Sequence, residues 1–235
     1  MSDKKYAVLI DADNVSYKYI KAILDEISNE GTITYKRIYG DWTRPGLSSW
    51  KNILLNHSIT PIQQYGYTTG KSSTDSAMII DAMDILYSGS VDGFCIVSSD
   101  SDFTRLAVRL RESGMNVIGM GEKKTPNAFI AACNRFKYLE IIGGEKVSDD
   151  KEEVRDNDLD DMTIANIKRA VAEIVSDVSD ESGCAALSDV GNILIKRFPS
   201  FDVRHFGYKK LTPFINSFGR YDIISVPSEL NPNVK

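Results

Sequence analysis

The side chains with the types and settings for chemistry are Asp11 and Asn14 in Asp11-Ala12-Asp13-Asn14, Asp75, and Asp100 and Asp102 in Ser98-Ser99-Asp100-Ser101-Asp102-Phe103. Brought to one place, the four aspartates make an oxygen-only pocket with no sulfur or imidazole ligand, the donor set that suits Mg2+ or Mn2+. Carboxylates crowded together are costly unless a cation compensates them or a proton is shared, so such a cluster predicts a metal. Carboxylate-held magnesium without a nucleotide-binding loop is most often used for phosphodiester hydrolysis. In that reading Asp100 and Asp11 are the central ligands, and Asp75 and Asp102 ligate directly or through water. Asn14 and Ser98 orient ligands or the scissile phosphate, and Lys71 offsets its charge. Each motif alone is equally a helix start, because Asp, Asn and Ser are the ordinary N-cap residues.

The elements that must position these groups alternate between strand and helix. Tyr6 to Ile10 is a short apolar strand ending at Asp11; Tyr17, Ile20, Ile23, Leu24 and Ile27 then recur at helical spacing until Gly31. Thr32 to Tyr39 is β-prone and ends at Gly40-Asp41-Trp42, where Asp41 fits a turn. A helix from about Ser48 to Asn56 and a third strand, Ile59 to Tyr65, follow. The next helix runs from Ser73 or Thr74 to about Tyr87. It carries Asp75 in its first turn, Asp81 on the same face two turns on, and Asp84 as a surface charge. Gly93 to Val97 is the central strand, delivering Ser98 to Asp102 to its end, and a helix over Phe103 to Ser113 follows. Asn116 to Gly121 is a strand, Thr125-Pro126 opens a short helix, and Phe136 to Ile142 closes the domain. This order predicts an α/β fold, a mostly parallel sheet with helices on both faces, whose carboxyl edge is where ligands bind.

Gly66 and Gly70 precede Lys71 and invite a phosphate-loop reading, but they enclose three residues where that motif needs four. The segment reads instead as a flap whose Lys71 and tyrosines reach a phosphate and a base. Cys95, Cys133 and Cys184 are far apart and only His57 and His205 accompany them, so no zinc ligand set is present.

The net charge of −5 resolves into zero over residues 1–144, minus six over 145–161 and plus one over 162–235. An acidic linker, 145–161, thus separates a first domain, 1–144, from a second, 162–235, and the overall charge does not exclude nucleic acid. The second domain shows helical periodicity at Ile164 to Val175, Leu187 to Leu194 and around Tyr208 to Ser217, where Pro213 must fall in the first turn or bend the helix. A strand over Tyr221 to Val226 then completes a small winged helix-turn-helix. Arg204, Tyr208, Lys209 and Lys210 form a basic aromatic cluster suited to RNA phosphates and stacking, or else a solvated face with Tyr208 in the core. Phe198, Phe201, Phe206 and Phe214 read as core. No apolar run reaches the roughly 20 residues of a membrane helix, and Met1 to Lys5 lead into a strand rather than a signal-peptide core, so a cytoplasmic location is expected.

Leu9-Ile10-Asp11-Ala12-Asp13-Asn14, Lys71 with Asp75 and Asp81, Val97-Ser98-Ser99-Asp100-Ser101-Asp102-Phe103 and Gly114-Met115-Asn116-Val117 together resemble the NYN domain, a branch of the PIN-like nucleases, over about Tyr6 to Leu139. The resemblance implies a PIN-like fold and metal-dependent RNA cleavage; Ser99 stands where that family usually has glycine. Gly183 to Leu187, Phe198 to Asp202 and His205 to Leu211 are similar to the LOTUS, or OST-HTH, domain. That resemblance implies RNA binding or docking of a protein partner. A divalent-metal-dependent endoribonuclease acting on single-stranded RNA is the leading expectation, with RNA as partner and a homodimer left open. The competing readings are a catalytically inactive RNA-binding adaptor and a phosphoaspartyl enzyme using Asp11 as nucleophile and Asp13 as acid.

Overall fold

In the computed structural model the described residues are 3–65, 73–144 and 162–224, and the chain divides into two compact units, 1–152 and 153–235. The expected flap with Lys71, and the linker over 145–161, lie outside the described residues.

The first unit is built on six strands: β1 (Lys5–Asp11), β2 (Thr32–Gly40), β3 (Thr60–Gln63), β4 (Gly93–Val97), β5 (Asn116–Gly121) and β6 (Arg135–Tyr138). All are parallel, in the order β3-β2-β1-β4-β5-β6. The chain reverses its direction of travel across the sheet between β1 and β4, and such a switch opens a crevice beyond the carboxyl ends of those two strands. Asp11 and Ser98 stand at these two ends.

Strand periodicity sorts the core. Ala7 and Leu9 of β1 and Phe94 and Ile96 of β4 face one layer, packed by Met78, Ala82 and Ile85 of α3 (Ser73–Ser88), by Leu106, Ala107 and Leu110 of α4 (Thr104–Glu112), and by Phe129 and Ile130 of α5 (Asn127–Ala132). Tyr6, Val8, Ile10, Cys95 and Val97 face the other, with Ile20, Ile23 and Ile27 of α1 (Ile20–Ser28), Trp50 and Leu54 of α2 (Trp50–His57) and Leu139 of α6 (Leu139–Ile142). A side chain is thereby committed to one face by parity alone. Asp11 follows Ala7 and Leu9, and Ser98 follows Phe94 and Ile96, so both belong to the α3 and α4 side.

Several elements differ in detail from the sequence reading. A short 3-10 turn, Tyr17–Tyr19, precedes α1, and β3 is only four residues long, with Pro61 on the sheet edge where its missing N–H is harmless. The segment expected to close the domain divides into β6 and α6. At the β6 edge Arg135 pairs with Glu30 at 2.6 Å, and Lys137 pairs with Glu26 and Glu30.

The second unit contains α7 (Ile164–Val178), capped by the Thr163 hydroxyl, which accepts from the Asn166 N–H, then α8 (Leu187–Arg197) and α9 (Leu211–Asn216). Ile167, Val171, Ile174, Val190, Leu194, Phe214 and Ile215 form its core. Pro213 is the third residue of α9, where its missing N–H costs no helical bond. The expected strand over Tyr221 to Val226 is not formed at 221–224, and 225–235 lie outside the described residues. A strand gains stability from a partner's ladder, and no other strand is described in this unit. Among the described residues of the chain, no helix is long and apolar enough to cross a membrane.

Candidate metal centre at the carboxyl edge of the sheet

Ser98, wholly buried, links two strand ends. Its hydroxyl donates to Asp11 Oδ2 at 2.8 Å and accepts the Asp100 N–H at 3.0 Å. Asp100 then caps the 3-10 turn Ser101–Phe103, its Oδ1 accepting the Asp102 N–H at 2.9 Å. The turn leads directly into α4. The result is a chain of bonds from Asp11 through Ser98 to Asp100 and Asp102, each link short-range except the one across β1 and β4.

Asp75, in the first turn of α3, meets this turn from the side. Asp75, Asp100 and Asp102 each offer an oxygen, and these three atoms lie within 4.8 Å of one another. Asp75 and Asp100 are half-buried and Asp102 is exposed. Metal–oxygen distances for hard divalent cations are about 2.0–2.6 Å, so oxygens opposite one another across such an ion are about 4–5 Å apart. The spacing fits a single cation after small side-chain rotations, and an all-carboxylate donor set suits Mg2+ or Mn2+ rather than zinc.

Asp11 lies beside this group and is not one of its three members. It is fully buried, and both its oxygens are in use: Oδ2 accepts from Asn14 Nδ2 at 2.6 Å and from Ser98, and Oδ1 accepts the Asp13 N–H at 3.0 Å. Burial pushes its pKa up, against the opposing pull of the hydrogen bonds from Asn14, Ser98 and Asp13. The three-carboxylate grouping thus does not include Asp11, expected from the sequence as a central ligand; strand parity reveals which face the residue takes but not how deep it sits or which donors surround it. The full burial of Asp11 also leaves the phosphoaspartyl reading without an exposed nucleophile.

Two other strand-end or helix acids have different work. Asp41 closes a turn: its Oδ1 accepts from the Thr43 hydroxyl at 2.6 Å and from Gln63 Nε2 at 2.9 Å, and these bonds lower its pKa. Asp81 accepts from the Tyr39 hydroxyl and from Arg37, both on β2, and so pins α3 to the sheet. Two features were not read from the sequence. Ser99 accepts the Glu122 N–H at 2.9 Å, tying the turn after β5 to the site. Its backbone is not in the left-handed region, since Ser58 is the one non-glycine residue with positive φ among the described residues. A serine in place of glycine is therefore unstrained there. Arg44 lies between Asp13 at 3.6 Å and Asp41 at 3.7 Å.

In the second unit, Arg204 is paired with Asp202 at 2.6 Å, and the half-buried Tyr208 sets its ring edge-on to Phe214 at 5.4 Å. Tyr208 is thus packed against the core, while Lys209 and Lys210 are exposed. Phe198, Phe201 and Phe206 pack on the same core.

Residues 5–140 match the family model of the NYN domain, and residues 162–230 that of the OST-HTH/LOTUS domain. Among solved structures the chain is similar to a protein of unknown function from Vibrio parahaemolyticus RIMD 2210633, at 21% identity and a TM-score of 0.48, covering 57% of this chain and 91% of that one. No curated protein matches the chain. The chain belongs to the NYN domain family, a PIN-like α/β fold, and carries an OST-HTH/LOTUS domain behind it.

Proposed function

We propose that this protein is a divalent-metal-dependent endoribonuclease acting on single-stranded RNA, with residues 1–144 as the nuclease domain and 162–235 as an RNA-binding domain. The observation that carries the reading is the grouping of Asp75, Asp100 and Asp102 at the switch point of a parallel sheet. A chain with no use for a cation gains nothing by holding three like charges within 4.8 Å, which favours the enzyme over the inert adaptor.

Asp75, Asp100 and Asp102 would hold Mg2+ or Mn2+. When bound, the cation supplies a water of lowered pKa and neutralises charge on the leaving oxygen. The chain's own contribution is preorganisation. Asp11 fixes the Ser98 hydroxyl; Ser98 fixes the Asp100 backbone; Asp100 fixes Asp102. Asn14, bonded to Asp11, completes the buried support. Asp11, Asn14 and Ser98 are positioning residues in this account, and Asp81 sets the height of α3 and so of Asp75. Lys209 and Lys210, with Arg204 beside them, offer phosphate contacts in the second domain, and Lys71 is proposed to reach the substrate at the first.

The test is incubation of linear and circularised single-stranded RNA with the full chain in Mn2+, Mg2+ or EDTA. Cutting of both RNAs with metal and of neither in EDTA is the expected result. Cutting of the linear form alone would make the enzyme an exonuclease. RNA binding without any cutting would favour the adaptor.

A further inference from the structure

The geometry points to a course for the RNA backbone across the carboxyl edge of the sheet, with Arg44 and Lys123 gripping phosphates on opposite sides of the scissile bond. This inference rests on the nuclease reading above and adds the direction in which the strand crosses the site.

The strand order fixes the sequence of charges along that edge. After β2 comes Arg44, after β1 the buried Asp11, after β4 Asp100 and Asp102, and after β5 Lys123. A cation thus stands on each side of the acidic group, with three inter-strand spacings between the ends of β2 and β5, about 14 Å in all. A polyanion laid perpendicular to the strands meets a positive group, then the three carboxylates, then a second positive group. A strand laid parallel to them meets only one.

The Arg44 backbone is fixed and its guanidinium is left available. Pro45 holds the preceding residue in extended backbone, as seen in φ −75° and ψ 130°, and the Arg44 N–H donates to the Asp41 carbonyl at 3.0 Å. Its guanidinium is held between Asp13 and Asp41 at 3.6 and 3.7 Å, too far for hydrogen bonds, and the side chain is 58% exposed. Exposed ion pairs of this kind contribute little, and they leave the planar fork of N–H groups available for a phosphate. Asp13 and Asp41, neither in the metal group, thereby acquire a shared use.

Lys123 sits on a turn that is equally fixed. The Glu122 N–H donates to Ser99, next to Asp100; the Thr125 N–H and hydroxyl both bond the Glu122 carbonyl, at 2.9 and 2.5 Å; and the Lys123 N–H donates to Glu140 Oε1 at 3.0 Å. Lys124 is paired with Glu122 at 2.8 Å. Lys123 is exposed and has no ion pair among the described residues.

The test is a cycle between protein and substrate in the full chain, which isolates these contacts from any made by the second domain. Single methylphosphonates, which remove one phosphate charge, are placed in turn at each position flanking the cleavage site of a short RNA. Cleavage by wild type, Arg44→Gln, Lys123→Gln and, as a control on the outer face of α4, Arg109→Gln is then compared. Each of the first two variants should lose about tenfold in kcat/KM, and neutralising its own phosphate should then cost nothing more. The two phosphates should lie on opposite sides of the cut, and Arg109→Gln should behave as wild type. Fully additive losses at every position, or both phosphates on one side of the cut, overturn the proposed course while leaving the nuclease reading intact. Absence of any metal-dependent cleavage by wild type overturns both.

Discussion

Replacing Asp100 with Asn should make the metal-free protein more stable and at the same time remove its response to Mn2+. Asn keeps the cap, because its side-chain oxygen can accept the Asp102 N–H as Asp100 Oδ1 does at 2.9 Å. What it removes is one of three negative charges whose oxygens lie within 4.8 Å. Two unit charges at that separation repel by about 0.9 kcal/mol in water and about 3.5 kcal/mol at an effective dielectric of 20. Asp102 is exposed and Asp75 half-buried, so solvent screening puts the relief from both neighbours near 1–2 kcal/mol. In a unit of about 150 residues each kcal/mol moves Tm by about 2–4 °C, so the variant should melt roughly 2–8 °C above wild type in EDTA. Mn2+ at about a hundred times its Kd should stabilise wild type by about 2.7 kcal/mol, and the variant by far less. Calorimetry with and without metal reads both effects. A variant that melts below wild type in EDTA, or that keeps the full Mn2+ shift, would refute the reasoning that these charges are grouped for a cation.

Asp81→Ala should act in the opposite way. It leaves the buried Tyr39 hydroxyl without its acceptor and Arg37 without its partner, at a cost of about 2–4 kcal/mol, seen in urea unfolding, while the Mn2+ shift is weakened by the loosened α3 but not abolished, since all three carboxylates remain. The pH dependence of stability should separate Asp11 from Asp41. The Asp11 pKa is raised in the folded state, so its favourable contribution is present below the ordinary carboxylate value of 3.8 and is lost as pH rises through the higher folded value. Wild type should therefore lose stability relative to Asp11→Asn over that rise; a constant difference in EDTA would contradict the assignment. Asp41 has the opposite sign: its lowered pKa gives a contribution present above the unfolded value and lost as pH falls through the folded one. Asp41→Asn should accordingly flatten the acid side of the stability curve.

The strands that carry the site were legible because β1 and β4 are buried on both faces and so read as unbroken apolar runs, Tyr6 to Ile10 and Gly93 to Val97. The grouping of Asp75 with Asp100 and Asp102 follows from their places at a helix start and a strand end. What sequence could not supply was depth and register. Asp11 differs from Asp100 in its depth and in the donors that surround it, and one of those donors, the Ser98 hydroxyl, comes from 87 residues away. The Asp81 bonds to Tyr39 and Arg37 depend on how α3 lies over β2, which no local pattern encodes. Tyr208 beside two lysines has the composition of a nucleic-acid contact, yet its ring packs on Phe214 because tertiary packing uses the apolar body of the residue. The unformed strand at 221–224 shows the same limit, since β-prone residues form a strand only where a neighbour can pair with them.

The central claim, that this aspartate group cleaves RNA with a divalent cation, is tested most directly by single-turnover cleavage of end-labelled single-stranded RNA in Mn2+. Wild type is compared with Asp100→Asn, with RNA binding measured on both. The account predicts cutting by wild type that EDTA abolishes, its loss in the variant and equal RNA binding by the two. Equal cutting by Asp100→Asn, or cutting that persists in EDTA, would contradict it.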